Sequence, residues 1–455
     1  MSRGTTIAIV LGLFVLACVC TLALIGLGGL FFWVVGFRQL MAAPPTLIPA
    51  PIPLTPTSTP FPLTTATDPD AEMDDIEGEV SALRSWTADK SVERNFMTPG
   101  ELRNYQIEDF AKDYSREEAT DDTRVLAAFG LLAPDFELYD FYIDLYSENI
   151  LGFYDIDEGK LFIISESGKF GAVERSTFAH EFQHALQDQL YDLDAMGWND
   201  AAIEQDAQKF AALQALVEGD ATLLESQWQT RHFTQPDWDQ YNAEAYADPD
   251  SAFYRAPAYM QKDFYFPYIQ GADFVNQLYQ RGDWTEVDAA FKNPPVSTEM
   301  ILHLDKYDAG EIPEDLPSPT FADSLGADWR EIDSNIMGEW YISLILEQQT
   351  SEQEAMAAAT GWGGDHYVVA YNEKADQTAV AWRLVWDTTS EAEEFIDAFK
   401  TYGDGRFDGD ATVGGGSLCW LNSSTCLYFT PQTTLWVFAP DQETLEKIKE
   451  AVEFK

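Results

Sequence analysis

In His180-Glu181-Phe182-Gln183-His184, two histidines stand four residues apart. On a helix that spacing stacks both imidazoles on one face, aimed at a common point. Two zinc ligands need that arrangement, with Zn–N distances near about 2.0–2.1 Å. Glu181 lies beside both rings, within reach of a metal-bound water whose proton it can take. The chain has 5 histidines in 455 residues, so the pattern arises by chance on the order of 10⁻² or less. A catalytic zinc takes three protein ligands and leaves the fourth position open. No third histidine follows at the short spacing of the metzincins. Leu216-Val217-Glu218-Gly219-Asp220-Ala221 offers a carboxylate instead. Glu218 sits in an otherwise apolar helical stretch, where an unpaired acid is costly and a metal would satisfy it. Glu225, two turns on and on the same face, is its competitor. The plainer alternative is a pair of surface histidines on an ordinary helix, with a solvated acid at the edge of another.

The elements that must position these residues follow from periodicity. Phe178, Phe182, Leu186 and Leu190 recur every four residues and predict a helix from about Glu174 to Leu190. Their stripe faces away from the histidines, which therefore need not be buried in the core. A second helix is expected from Gln205 to Gln227, burying Phe210, Leu213, Leu216, Val217, Leu223 and Leu224. Leu151 to Tyr154 and Leu161 to Ile164 read as a hairpin with its turn at Asp157 to Lys160. The ligand spacing there is wrong for a calcium loop. Further helices are expected over Ala71–Ala88, Pro99–Leu132, Pro267–Arg281, Trp284–Phe291 and Trp329–Gln348. Beyond Gly361 the texture changes to strands at His366–Tyr371, Ala379–Trp386, Ser417–Leu421, Cys426–Phe429 and Leu435–Phe438. Helices at Ser390–Tyr402 and Gln442–Phe454 complete a small α+β domain with a two-layer sheet.

Residues Ile7 to Gly36 carry no charge. Crossing a bilayer takes roughly 20 apolar residues, whereas a cleavable signal has an apolar stretch of about 7–15. The run therefore reads as a retained transmembrane signal anchor. Val15-Leu16-Ala17-Cys18 loosely fits a lipoprotein site, but the apolar run continues past it. From Ala42 to Pro69, Pro, Thr, Ala and Ser dominate, a composition that favours extended polyproline and cannot pack a core. It reads as a stalk, placing the following domain outside the cell membrane. Cys419 and Cys426 flank Trp420 to Thr425, which reads as a hairpin, and a disulfide between them implies an oxidising compartment. Acidic residues outnumber basic ones 77 to 27, for a net charge of −50. A field of that sign repels phosphate backbones, so nucleic acid is not an expected partner.

The segments His180 to Gln189 and Leu216 to Ala221 resemble the gluzincin class of zinc metallopeptidases, in particular a set of bacterial membrane-linked proteins rather than thermolysin. Pro294 to Glu299 with His303, and Gly361 to Asp365, are similar to the same set. The resemblance runs from about Glu101 to Asp387, and its five-residue zinc motif is the most specific part. It implies a strand bordering the cleft above the active helix, the place in the chain held by the hairpin at Gly152 to Ile164. Thermolysin-like chains carry Asp four residues after the ligand Glu, where this chain has Thr222. Orientation of the histidines then falls to Asp220 or Asp188. The oxyanion-steadying histidine of thermolysin has no clear match: His303 and His232 are candidates, with Tyr154 and Tyr268 as alternative donors.

These readings define an α+β chain. Residues 1–6 are cytoplasmic, 7–36 an anchor, 37–70 a stalk, 71–360 a zincin-like and mostly helical domain with a small antiparallel sheet, and 361–455 a small α+β domain. The expected chemistry is peptide hydrolysis of a peptide or protein substrate, with Zn²⁺ on His180, His184 and Glu218, Glu181 as general base and His303 assisting. The rivals are a non-catalytic binding protein on the same scaffold and a non-peptide metallohydrolase.

Overall fold

The computed structural model describes residues 68–454 apart from 167 and 245–249, and only the backbone of 109–113. The apolar run 7–36, Cys18 and nearly all of the Pro/Thr-rich segment lie outside the described residues. Among the described residues, no helix is long and apolar enough to cross a membrane.

The chain is mixed α+β and mostly helical. Helix α1 spans Pro69–Arg84 and is opened by the Asp68 side chain and a first-turn proline. Strand β1, Glu93–Met97, had no counterpart in the expected elements. The single helix expected over Pro99–Leu132 is two, α2 (Pro99–Asp113) and α3 (Arg116–Ala128). Ser115 and Glu118 form a capping box at the break, which restarts the helix. Next come α4 (Leu138–Asn149), β2 (Gly152–Asp155), β3 (Lys160–Ile164) and α5 (Ala172–Tyr191). β2 and β3 pair antiparallel as expected, but β1 adds to β3 in parallel. The small sheet is therefore mixed rather than antiparallel.

Helix α6, Ala207–His232, starts on the Asp206 side chain, and α7, Ala258–Lys292, packs along it. A kink at Gly282 and Asp283, the latter at φ 54°, divides α7. It falls where the sequence separates two helices. Among the main helices, α6 lies between α5 and α7 and is buried almost throughout its middle.

The region expected as a helix over Trp329–Gln348 begins instead as strand β4, Trp329–Asn335, and becomes helix α8 only at Gly338–Glu347. Helix α9 (Glu352–Ala359) follows, then β5 (Trp362–Asn372), β6 (Gln377–Trp386), α10 (Thr389–Arg406), β7 (Thr412–Val413), β8 (Ser417–Trp420), β9 (Thr425–Phe429), β10 (Thr433–Phe438) and α11 (Gln442–Val452). The seven-stranded sheet runs β4-β5-β6-β10-β9-β8-β7 and includes a strand well upstream of residue 361. Alternation sends Trp382, Leu384 and Trp436 into the main core, and Ala379, Ala381, Leu435 and Val437 into a second cluster with Leu445 and Ile448 of α11. Helices thus cover both faces, where a two-layer arrangement was expected. Cys419 and Cys426 are direct partners across β8 and β9 and are joined by a disulfide.

Candidate metal centre

His180, Glu181 and His184 sit mid-way along α5, and their side chains are fully buried. The apolar stripe alone does not require this burial. α5 is enclosed by α1, by α6 and by the hairpin β2–β3, so both of its faces are inside. Glu218, at the middle of α6, meets them: Glu218 Oε2 is 3.3 Å from His180 Nε2 and 3.4 Å from His184 Nε2. The two rings stand 4.7 Å apart between centroids. The three ligand atoms all lie within 4.8 Å of one another.

The neighbours of each ring settle which nitrogen faces the centre. Gln187 directs its amide nitrogen at two acceptors, Val217 O at 2.9 Å and Asp220 Oδ2 at 2.8 Å. Its Oε1 is left facing His184 Nδ1 at 2.8 Å, so Nδ1 carries the proton and Nε2 presents a lone pair. His180 Nδ1 faces Glu225 Oε2 at 3.2 Å, with the same consequence for its Nε2. Glu225 is in turn held by the Ser176 hydroxyl and by Gln229 Nε2 at 3.3 Å. Glu225 therefore orients a histidine, and Glu218 is the carboxylate between the two Nε2 atoms.

Glu181 points into the same enclosure, where its carboxylate has no side-chain hydrogen-bond partner and only the Tyr154 backbone amide approaches it. His184 Nε2 and Glu218 Oε1 are likewise buried without one. Burial pushes the Glu181 carboxyl well above the usual range. The Glu218 and Glu225 charges add to that shift, against the opposing effects of His180 and the Tyr154 backbone amide. Burial works against a charged His180, but hydrogen bonds and charge from Glu218 and Glu225 outweigh it and push the ring up to about 10. Glu218 is held below its ordinary value despite burial, because His184 and His180 face it. With carboxylate on both nitrogens, the His180 ring needs an extra proton or a cation between Nε2 and Glu218.

The donor set could hold a metal ion. Corners about 2.0–2.1 Å from the centre of a tetrahedron are separated by edges of about 3.3–3.4 Å. Both nitrogen-to-Glu218 distances have that length.

Other expected residues fall elsewhere. Asp188 accepts from the Tyr154 hydroxyl at 3.0 Å and the Leu193 amide at 3.2 Å, not from an imidazole, because its place on α5 turns it toward β2 and the helix end. Asp220 does reach the centre, through Gln187. His303 pairs with the buried Glu339 at 2.7 Å, and that bond raises its pKa. It follows the short helix Thr298–Leu302, whose Thr298 amide binds Gln208 at 3.0 Å. Gln208 lies a rise of about 15 Å down α6 from Glu218. His232 pairs with Glu79 at 3.0 Å at the far end of α6. The Tyr268 ring, on α7, is 6.5 Å from that of His180. Asp365 is structural: it accepts from the Met337 and Gly338 amides at the start of α8 and from the Trp362 and Trp382 indoles.

A second acidic group, Glu299, Glu311 and Asp387, already surrounds an ammonium, that of Lys306. A cleft of about 740 Å³ opens beside α3 and the sheet, with Arg124, Tyr139 and Tyr371 in its wall, and takes no residue from α5 or α6.

Residues 326–449, which span β4 to most of α11, match a family described as a domain of unknown function (DUF8575). No curated protein and no solved structure matches the chain. The matched stretch excludes every residue of the metal centre.

Proposed function

We propose that the chain is a zinc-dependent hydrolase of peptide bonds, with His180, His184 and Glu218 as ligands and Glu181 as general base. One observation carries this reading. Both histidine Nε2 atoms lie a tetrahedral edge from Glu218 Oε2, beside a buried carboxylate with no side-chain partner. Bound zinc would supply Lewis acidity and a water of pKa near about 7. Glu181 accepts the proton of the attacking water and returns it to the leaving amine. Gln187 and Glu225 keep the two Nε2 lone pairs on target. Tyr268, beside His180, is a candidate for steadying the oxyanion, while the Tyr154 hydroxyl is held by Asp188 and His303 by Glu339.

The active helix, the second helix bringing Glu218 and the hairpin packed alongside support a zincin-like reading of the helical part. The apolar run 7–36 and the Cys419–Cys426 disulfide support a single-pass protein with its catalytic part in an oxidising, extracytoplasmic compartment. Because the four central side chains are fully buried, a substrate reaches them only when a covering element moves.

That same burial favours a second reading, a structural metal centre on a binding scaffold. The test is metal analysis of the purified chain together with digestion of a peptide library. One zinc per chain with Glu181-dependent cleavage supports the hydrolase. Zinc without cleavage supports the scaffold, and cleavage of non-peptide esters or amides alone points to a different metallohydrolase.

A further inference from the structure

We propose that Arg84, at the end of the helix that follows the Pro/Thr-rich segment, is a positioning residue of the metal centre, acting on His184 through Asp220 and Gln187. The inference rests on reading His180, His184 and Glu218 as metal ligands.

Arg84 is far from α5 and α6 in sequence, yet its side chain is wholly excluded from solvent between them and α7. Its Nε lies 3.1 Å from Asp220 Oδ1 and its Nη1 2.6 Å from Asp288 Oδ1. The guanidinium carbon sits 3.6 Å from the Trp86 ring centre and 4.4 Å from that of Trp284. A planar cation that bridges two carboxylates while stacked on two indoles has one orientation, which a lysine ammonium would not reproduce.

That orientation passes along the chain of contacts. With Oδ1 held by Arg84, Asp220 presents Oδ2 to Gln183 Nε2 at 2.6 Å and Gln187 Nε2 at 2.8 Å. Both amide nitrogens are thereby committed. Gln187 cannot flip without setting its own oxygen against Asp220 and the Val217 carbonyl, so Oε1 stays on His184 Nδ1. Without the guanidinium, Asp220 loses the partner that sets its direction. Gln187 gains freedom to turn, and the His184 ring is no longer held with Nε2 toward Glu218. Docking of α1 thereby becomes a condition for a well-formed centre.

The test uses the full chain in detergent, with zinc alone as the probe in competition against a chelating dye, and the visible spectrum of the Co²⁺ form. Loss of an outer partner of a ligand histidine lowers metal affinity about 10–100-fold. Arg84→Met should fall in that range and alter the Co²⁺ spectrum. Because Arg84 acts through Gln187, the same change in a Gln187→Met background should add less than about a factor of two. Equal losses in both backgrounds would mean that Arg84 only supports packing, and the proposal would fall. Should Arg84→Met not fold, Asp288→Asn frees one arm of the guanidinium at a partly exposed site. It should lower affinity a few-fold in the native background and not in Gln187→Met, and equal effects again overturn the proposal. Unchanged affinity in Arg84→Met, with zinc lost in His184→Ala, overturns it while leaving the metal reading intact. If His184→Ala binds zinc as the native chain does, the metal reading itself fails.

Discussion

Gly219 of α6 and Gly271 of α7 lie back to back with no side chain between them. A Cβ on Gly219 would overlap the Gly271 carbonyl and stand 2.8 Å from the Ala272 nitrogen; one on Gly271 would meet the Ala215 Cα at 2.9 Å. Neither residue has a positive φ, so the close approach of the two backbones requires the glycines. Gly219 directly follows Glu218, and Tyr268 sits one turn before Gly271. The crossing therefore fixes how far α6 pushes Glu218 toward the histidines and where the Tyr268 ring meets His180.

Gly219→Ala should accordingly do two things. Overpacking a close-packed crossing costs typically about 1–3 kcal/mol, so the melting temperature should drop. Zinc affinity should drop with it, because α6 must shift to admit the methyl. Unfolding of the metal-free protein in chelator separates the two effects. A variant that is destabilised without chelator-independent loss of zinc affinity would show that the crossing supports stability alone.

Glu218 and Glu225 of α6 should behave differently. Glu218→Gln removes the carboxylate that both Nε2 atoms face and should nearly abolish zinc binding. Glu225→Gln keeps an amide oxygen for His180 Nδ1 to address and should cost at most about 10–100-fold. Zinc titration of the two variants checks this. Equal affinity in Glu218→Gln and the native chain would remove Glu218 from the ligand set.

What the sequence showed and hid follows from what each feature depends on. The helices around His180 and Glu218 have strong 3.6-residue periodicity, and the strands after Gly361 alternate, so both were legible. Trp329–Asn335 has a helical pattern in sequence, and its strand state comes from pairing with β5 rather than from its own residues. β1 is polar and marginal by itself and exists through its register with β3. The stripe of Phe178, Phe182 and Leu186 located one buried face of α5 but gave no sign that the histidine face is buried too. That depends on α6 and the hairpin closing over it. Glu225 was visible as a rival ligand, and Gln187 stands three residues from His184, a spacing that points to a local partner. No spacing could reveal Arg84, which reaches Asp220 across 136 positions of sequence.

Asp263 should make stability depend on pH. It lies buried on α7, accepting from the Trp340 indole at 3.0 Å and from the Tyr341 hydroxyl. Burial pushes its pKa up to about 7, against the pull of those two donors. An unfolded Asp titrates near about 3.9. Between those values the folded chain keeps the proton that the unfolded chain has released. Stability therefore falls as pH rises from about 4 to about 7. Each unit is worth about 1.4 kcal/mol, which sets an upper bound of about 4 kcal/mol on the effect. Asp263→Asn should flatten that part of the melting profile. An unchanged slope would mean that Asp263 is ionised in the folded protein.

The most informative variant is Glu181→Gln. Its carboxylate is buried beside His180, His184 and Glu218 but is not one of the three converging ligand groups, and no side chain hydrogen-bonds it. An amide of the same shape should leave the three ligands and the fold undisturbed. Zinc content and affinity should then stay within a few-fold of native. Only proton transfer is removed, and general-base catalysis typically contributes roughly 10²–10⁴-fold. A fall in kcat of at least that order is expected, with KM little changed. His180→Ala should lose activity by another route, because zinc leaves. The combination of retained metal and lost turnover distinguishes a base from a ligand. If Glu181→Gln releases zinc, Glu181 belongs to the ligand set. If it cleaves peptides at the native rate with zinc bound, water activation does not depend on it and the mechanism proposed here is wrong.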